Sequence, residues 1–507
     1  PNMVTSDPRW FGDAYANWDR VAAGEYGKGG HVGKCFFDGL IYGSIRAAAD
    51  FLAANRDPAL EARVDGLIDR FVAAQSEDGY INTKVDLDAP QDRFEALGNG
   101  GYPYPAWHER YNMGGLFEAA VHYYKATGKT KFLSAAVKLA NLCCDTMGPP
   151  PKKNVVPAHA LPEMALVELY ELFKAEPNLK DKLGVPVRED DYLALAKFWI
   201  ENRGNHNGIR NARMKNDPRF SPSSRMSLGS YAQDAYNPLE LDTIDGHAVR
   251  ATLLGTGMAA VTLNDDDPRF HKASSAWWDN MVGKRMFLTG GVGSNTRSEA
   301  FGADYFLPAA NSYLETCANV GAGFFSQKMG LREKDSKYFD ELERVLYNGA
   351  LGSVSKKGDT YAYKNELTHK TNRGRWAWNG TPCCPPMFLK MMAAIPSYVY
   401  SVGDNELYVQ LFVQSDADLK VGGKDVKLSQ KTKYPHDGKV GITLDSDVKD
   451  LALKIRIPSW ARGIENPYGL YEPTTAATPV TASLNGRALD MELQDGYLVI
   501  KRDWRKG

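Results

Sequence analysis

The stretch Ile41-Tyr42-Gly43-Ser44-Ile45-Arg46-Ala47-Ala48-Ala49-Asp50-Phe51-Leu52 places Ile41, Ile45, Ala48 and Leu52 on one face of a 3.6-residue period. The same spacing returns in Leu60, Val64, Leu67 and Phe71, so two amphipathic helices follow one another. Working outward, helical patterns recur at Leu116 to Ala126, Phe132 to Cys144, Met164 to Phe173, Tyr192 to Ile200, His247 to Val261 and Phe339 to Leu346. Loops bearing Gly, Pro and Asn join them. Two segments, Ala126-Thr127-Gly128-Lys129 and Leu254-Gly255-Thr256-Gly257, each read as a helix ending in a left-handed glycine cap, which suggests a weak hairpin repeat. So many paired helices suit a toroid whose inner helices surround a cavity. Periodicity alone leaves an α-solenoid open.

Beyond residue 400 the period becomes two. Leu407, Val409, Leu411 and Val413 alternate with other residues, as do Leu451, Leu453, Ile455 and Ile457, and Asp495-Gly496 before Tyr497 reads as a hairpin turn. The expected organisation is a helical domain over residues 1–400 and a β domain over 401–507. Few strands fit before Gly507, so the β domain is expected to be incomplete at its C-terminal end.

The 61 Lys and Arg against 62 Asp and Glu leave a net charge of −1, and no basic run provides the footprint that nucleic acid or anionic lipid needs. A neutral ligand is the better expectation. No stretch reaches the roughly 18 apolar residues of a membrane helix. The opening Pro1-Asn2-Met3 shows neither an initiator Met nor a signal-peptide core, so any leader is expected to have been removed or never present, with cytoplasmic and periplasmic locations both open. The 26 Tyr and 10 Trp suit stacking on sugar rings, although aromatics also build cores.

Six cysteines in 507 residues are too few for a disulfide framework, so their clustering carries the information. Glu315-Thr316-Cys317 and Gly380-Thr381-Pro382-Cys383-Cys384-Pro385-Pro386 together offer three thiols and a carboxylate, the ligand types and number of a tetrahedral zinc site. The prolines permit the bent loop that adjacent cysteines need to share a metal. Buried packing is the alternative for any cysteine pair, and Cys143-Cys144, inside a helical pattern without acidic companions, read as core. Glu299 follows the Gly-rich loop Thr289 to Asn295, which could bring backbone against a ligand. That loop lacks the preceding strand of a phosphate-binding loop. His108, His159 and His247 stand at or near helix starts, where a core or capping role competes with ligand contact. Tyr363, in Tyr361-Ala362-Tyr363, is equally open by itself.

In order along the chain, Asp78-Gly79-Tyr80-Ile81-Asn82-Thr83, Gly246-His247-Ala248-Val249-Arg250-Ala251, Glu299-Ala300-Phe301, Asp304-Tyr305, Leu307-Pro308, Glu315-Thr316-Cys317-Ala318, Leu346-Tyr347-Asn348-Gly349, Cys383-Cys384-Pro385-Pro386 and Ile457-Pro458-Ser459-Trp460 resemble glycoside hydrolase family 127. That family contains the β-L-arabinofuranosidases. The resemblance implies a mostly α chain with a β accessory region: an (α/α)6 barrel followed by β-sandwich domains. It also implies an exo-acting, retaining glycoside hydrolase with Cys383 as nucleophile, Glu299 as acid/base and zinc on Glu315, Cys317, Cys383 and Cys384. Substrate contacts would come from His159, His247, Tyr363 and, at looser spacing, His108. The expected partner is an oligosaccharide or glycoside, with a homodimer left open.

Departures bear on the sugar. Gly39-Leu40-Ile41-Tyr42 stands where family members often read Asp-Val-Tyr-Lys, and Leu239-Glu240-Leu241-Asp242 where Arg-Glu-Gln-Thr is usual. A lost Arg changes which hydroxyls or carboxylates can be paired. Other branches resemble enzymes acting on 3,6-anhydro-galactose or a branched acidic pectic sugar, so those substrates stay open. Two further readings are a sugar epimerase using histidine pairs such as His159 and His247, and a non-catalytic carbohydrate-binding protein with structural zinc.

Overall fold

A computed structural model of the chain describes residues 12–94, 108–205, 230–368, 374–377 and 380–507. The opening Pro1-Asn2-Met3 lies outside them. The chain divides into two units, Pro1–Phe325 with Val345–Ala393, and Ser326–Arg344 with Ala394–Gly507.

Among the described residues the α-helices are α1 (Ala16–Ala22), α2 (Phe37–Ala54), α3 (Pro58–Ala74), α4 (Thr83–Asp88), α5 (Glu109–Thr127), α6 (Lys131–Thr146), α7 (Pro162–Ala175), α8 (Glu189–Glu201), α9 (Ala248–Thr262), α10 (Pro268–Asn280), α11 (Thr316–Glu333), α12 (Ser336–Arg344) and α13 (Cys384–Tyr398). In the first unit the inner helices α2, α5, α7, α9, α11 and α13 meet in sequence, and small residues set the contacts. A Cβ on Gly39 of α2 would lie 2.7 Å from Asn112 of α5, and one on Gly114 of α5 would lie 2.7 Å from the backbone of Pro162 at the start of α7. A Cβ on Gly257 of α9 would lie 3.1 Å from Glu163 of α7, and one on Gly321 of α11 only 2.2 Å from Thr252 of α9. Cys317 and Cys384 join α11 to α13 with their Sγ atoms 3.5 Å apart, and Gly43 of α2 lies against Pro386 of α13, where a Cβ would be 3.7 Å from its side chain, which closes the ring. Helices α3, α6, α8 and α10 alternate with these in sequence. This is an (α/α)6 barrel followed by a β-rich region, and the solenoid reading falls.

One expectation is corrected. Leu254-Gly255-Thr256-Gly257 does not end a helix but lies inside α9, every residue of which is buried. Gly255 is small because Phe325 packs on it, where a Cβ would sit 2.7 Å from the ring. Gly128 does cap α5 with φ +72°, so only one of the two segments is a terminator and the hairpin repeat disappears. Deeper in the barrel lies a buried charged cluster. Lys390, two turns along α13 from Cys384, pairs with Glu118 of α5 at 2.5 Å, while Arg46 of α2 faces Glu118 at 3.7 Å and Asp50 at 3.1 Å.

The second unit holds strands β1 (Tyr400–Val402), β2 (Glu406–Val409), β3 (Ser415–Val421), β4 (Lys424–Thr432), β5 (Val440–Leu444), β6 (Val448–Arg456), β7 (Ala482–Leu484), β8 (Arg487–Leu489), β9 (Leu493–Gln494) and β10 (Tyr497–Trp504). One sheet runs β1-β2-β6-β10-β9 and another β3-β4-β5, with β7 and β8 as a separate pair. Leu407, Val409, Leu451 and Leu453 of the first sheet share one core with Val421, Val426, Leu428 and Leu444 of the second. The expected alternation through Val413 stops short: β2 ends at Val409, and Tyr408 is buried along with its neighbours, its ring meeting Tyr497 at 5.2 Å between centroids with the Lys454 ammonium 4.8 Å away. Asp495 and Gly496, at φ 50° and 80°, form the β9–β10 turn.

Helix α12 belongs to this second unit through charge. Arg456 of β6 is fully buried and pairs with Asp340 at 2.5 Å and with Glu343. Replacing it with Met takes the buried cation from both carboxylates, leaving Asp340 with the less buried Arg462 and Glu343 with the Tyr434 hydroxyl and Trp460 indole. We expect Arg456→Met to lower unfolding stability by about 3–5 kcal/mol in a urea titration; a loss below about 0.5 kcal/mol, ordinary for a surface change, would show that the pair holds nothing in place.

Candidate active site

All six inner helices start at the same end of the barrel, and their first turns line a cavity of about 310 Å³. Leu40 comes from α2, His108 and Tyr111 from the start of α5, and His159 from just before α7. His247 caps α9 and Arg250 lies in its first turn, Glu315 immediately precedes α11 and Cys317 lies in its first turn, and Cys383 immediately precedes α13. Converging helix N-termini present unpaired N–H groups and the positive ends of their dipoles, so this end of the barrel favours anionic groups. Its volume is at the small end of ligand pockets, which begin near roughly 300 Å³.

Glu315, Cys317, Cys383 and Cys384 meet at one point, their ligand atoms all within 4.8 Å of one another. Sγ of Cys383 lies 3.1 Å and Sγ of Cys384 3.7 Å from Glu315 Oε1, and the Cys317 and Cys384 sulfurs are 3.5 Å apart. Thiolates about 2.3 Å from a tetrahedral zinc stand roughly 3.8 Å from each other, so the donor set fits that ion. Its electrostatics point the same way. Burial, then the Cys383 sulfur, push the Glu315 carboxyl well above its ordinary range, and burial foremost does the same to the Cys317 thiol. Groups packed so closely cannot all be anionic unless a cation joins them. The local chain makes the meeting possible: Pro385 and Pro386 occupy the first turn of α13, where a missing N–H costs nothing, and Cys383 immediately precedes it.

Glu315 is held on its other oxygen. Tyr313 donates to Oε2 at 2.5 Å, and since that hydroxyl has one proton, Tyr363, 3.2 Å away, is the donor in the Tyr313–Tyr363 pair. Tyr363 reaches the cavity because its segment bridges that of Glu315, with Thr316 N–H donating to the Tyr363 carbonyl at 3.0 Å.

Rings form the opposite wall in a continuous run. Phe36 meets His108 at 5.1 Å, His108 meets His159 at 5.7 Å, His159 meets His247 at 6.0 Å and His247 meets Tyr231 at 5.1 Å between centroids. Burial, then the Arg250 guanidinium, drive His108 and His159 well below the usual imidazole range, so both are neutral. His159 Nδ1 donates to the Ala160 carbonyl at 2.9 Å, which leaves Nε2 as an acceptor. Neutral imidazoles of fixed tautomer are suited to uncharged hydroxyls.

Glu299 lines the same cavity, at a half-buried position with φ 58°. A left-handed glutamate is uncommon and persists where neighbours hold it. Here Ala248 N–H donates to the Glu299 carbonyl at 2.9 Å and Phe301 N–H to that of Gly246 at 2.9 Å, stapling the loop to the start of α9. Only glycine serves at 246, where φ is +83° and a Cβ would fall 1.7 Å from the Ser230 carbonyl oxygen.

The structure thus gathers Glu299, His108, His159, His247, Tyr363, Glu315, Cys317 and Cys383 around one cavity, with Cys384 behind it on the sulfur cluster. Cys143 and Cys144 are buried in α6. Sequence reading did not single out Tyr111, Tyr231, Arg250 or Tyr313. Tyr111 follows His108 by one helical turn and Tyr313 precedes Glu315 by two residues, spacings that could have marked both. Arg250 sits inside the quoted Gly246–Ala251 motif, whereas nothing local marks Tyr231.

Residues 7–397 match the model described as beta-L-arabinofuranosidase, GH127 catalytic domain, and residues 406–507 match the GH127 middle domain. A non-reducing end beta-L-arabinofuranosidase of Bifidobacterium longum subsp. longum is 30% identical over 505 residues, covering 95% of this chain and 71% of that protein. A solved GH127 beta-arabinofuranosidase superposes with TM-score 0.85 at 34% identity, covering 98% of this chain and 73% of the other. A GH127 beta-L-arabinofuranosidase from Geobacillus stearothermophilus T6 gives TM-score 0.85 at 30% identity, covering 98% and 74%.

Zinc titration of metal-free protein followed by calorimetry should show one tight site. Tyr313→Phe, which leaves Glu315 Oε2 unheld, should weaken it about 10- to 100-fold. Unchanged affinity in that variant would mean that Tyr313 does not orient the carboxylate.

Proposed function

Because the chain belongs to glycoside hydrolase family 127 and is a glycoside hydrolase, we propose that it releases β-L-arabinofuranosyl units from non-reducing ends with retention of configuration. The observation that carries this reading is the meeting of Glu299 and Cys383 on one small cavity above the Glu315/Cys317/Cys384 cluster. A cavity built for a single sugar suits removal of terminal units. Residues 1–400 carry the reaction in this reading, and 401–507 form a β-sandwich accessory domain.

Zinc held by Glu315, Cys317, Cys383 and Cys384 would keep Cys383 deprotonated at neutral pH. The chain's own groups account for the rest. Protonated Glu299 gives its proton to the departing oxygen as the anomeric C–O bond breaks, while a sulfur electron pair of Cys383 forms the C–S bond. Glu299, now a carboxylate, takes a proton from water, whose oxygen attacks the same carbon and returns the electron pair to sulfur. Two inversions give net retention. His108, His159 and Tyr363 bind the sugar hydroxyls. Thr289 to Asn295 positions Glu299 and plays no part as a phosphate loop.

Glycoside hydrolysis by the family sets aside the epimerase and the non-catalytic reading. A 3,6-anhydro-galactose or a branched acidic pectic sugar stays as the second substrate choice, because Gly39–Tyr42 and Leu239–Asp242 depart from the family pattern. The test is sugar release from a β-L-arabinofuranoside and from oligosaccharides ending in those sugars, with the anomer followed by NMR. Wild type should release β-L-arabinose first, and Glu299→Gln should lower kcat/KM on a natural disaccharide by about 10²- to 10⁴-fold. Cys383→Ala should release none. Release from another panel member alone moves the substrate, and activity in Cys383→Ala defeats the nucleophile assignment.

A further inference from the structure

His247 is the N-cap of α9, and its Nδ1 accepts the Arg250 backbone N–H at 3.3 Å. A ring nitrogen that accepts carries no proton, so the proton of this imidazole is on Nε2. Nε2 lies 3.4 Å from Glu299 Oε2. The backbone on both sides is pinned: His247 N–H donates to the Tyr231 carbonyl at 3.1 Å, and residues 247 and 300 pair as an antiparallel bridge. A doubly protonated ring would turn Nδ1 from acceptor to donor against the Arg250 N–H, and burial, with the Arg250 guanidinium, holds the ring below its ordinary range against the upward pull of the Glu299 carboxylate.

We propose that His247 is a positioning residue for the acid/base: its fixed Nε2–H holds Glu299 Oε2 as an acceptor and so leaves the catalytic proton on Oε1. This rests on the reading of Glu299 as the acid. A carboxylic acid has one proton, and the oxygen that accepts an N–H is the one that does not carry it. When Oε1 gives its proton to the departing oxygen, the same N–H stays on the carboxylate, and Oε1 takes the proton of the incoming water. The helix cap therefore selects which oxygen of Glu299 faces the reaction, a role distinct from contact with the sugar.

Asparagine at 247 separates the two roles of the ring. Its side-chain oxygen retains a cap for the Arg250 N–H, asparagine being a preferred N-cap, but its short amide does not reach Glu299. Glutamine is longer and puts an amide N–H near the place of Nε2. The experiment compares kcat/KM for an activated aryl β-L-arabinofuranoside, whose departure needs no proton, with that for an alkyl β-L-arabinofuranoside, whose departure does. Misplacing the acid should raise the aryl-to-alkyl ratio in His247→Asn about 10- to 100-fold over wild type, and His247→Gln should bring it back toward the wild-type value. Thermal melts of both variants report on the cap. A His247 that only touches the sugar would lower both substrates together and leave the ratio unchanged, which overturns the proposal. Glu299→Gln is run alongside. If it raises the ratio and His247→Asn does not, the positioning role fails while Glu299 remains the acid; if Glu299→Gln leaves the ratio unchanged, the acid assignment fails and this proposal with it.

Discussion

Three thiols and a carboxylate whose ligand atoms crowd within 4.8 Å cannot be buried together as four anions without a compensating cation. Protons shared between the sulfurs and Glu315, or a cation held by all four, satisfy that constraint. Six inner helices begin at one end, drawn together at contacts where Gly39, Gly114, Gly257 and Gly321 leave too little room for a side chain. The dipoles of those helices add a field that favours negative charge where Cys383, Cys384 and Glu315 stand. The fold thus gathers Glu315 and the cysteine thiols beside a cavity of about 310 Å³ whose lining also carries the neutral rings of His108 and His159.

The acid/base partner is held by different means. Glu299 comes from a loop rather than a helix, and its left-handed backbone persists because the start of α9 clasps it on both sides. Cys383 and Glu299 therefore rest on separate supports, one on the sulfur cluster and one on the α9 cap. Tyr313 does for Glu315 what His247 does for Glu299: each takes one carboxylate oxygen and leaves the other for the chemistry.

Much of this was legible in the residues because it is local. The 3.6-residue period of Ile41 to Leu52 survives as α2, and the change of period beyond residue 400 marks the strands. The cluster was legible in part through chemistry, since Glu315, Cys317 and a Cys383-Cys384 pair among prolines offer the ligand types and number of a zinc site, with buried packing as the alternative reading. Their roles came only from the family resemblance. What was misread depended on partners distant in sequence. Gly255 and Gly257 look like a helix end until Phe325 and Glu163 are seen against them, and the alternation at Tyr408 fails because Tyr497 of β10 and Lys454 of β6 cover its ring. Tyr231 reaches the cavity through a contact with His247 that no spacing announces.

The central claim is that Cys383, a residue of the metal cluster, becomes bonded to the sugar. The direct measurement is mass spectrometry of the Glu299→Gln protein quenched after mixing with an activated aryl β-L-arabinofuranoside, because formation of the intermediate then outruns its hydrolysis. The account predicts one pentosyl group per chain, on the peptide containing Cys383. A pentosyl group on Glu315, or turnover with no adduct at all, would contradict it.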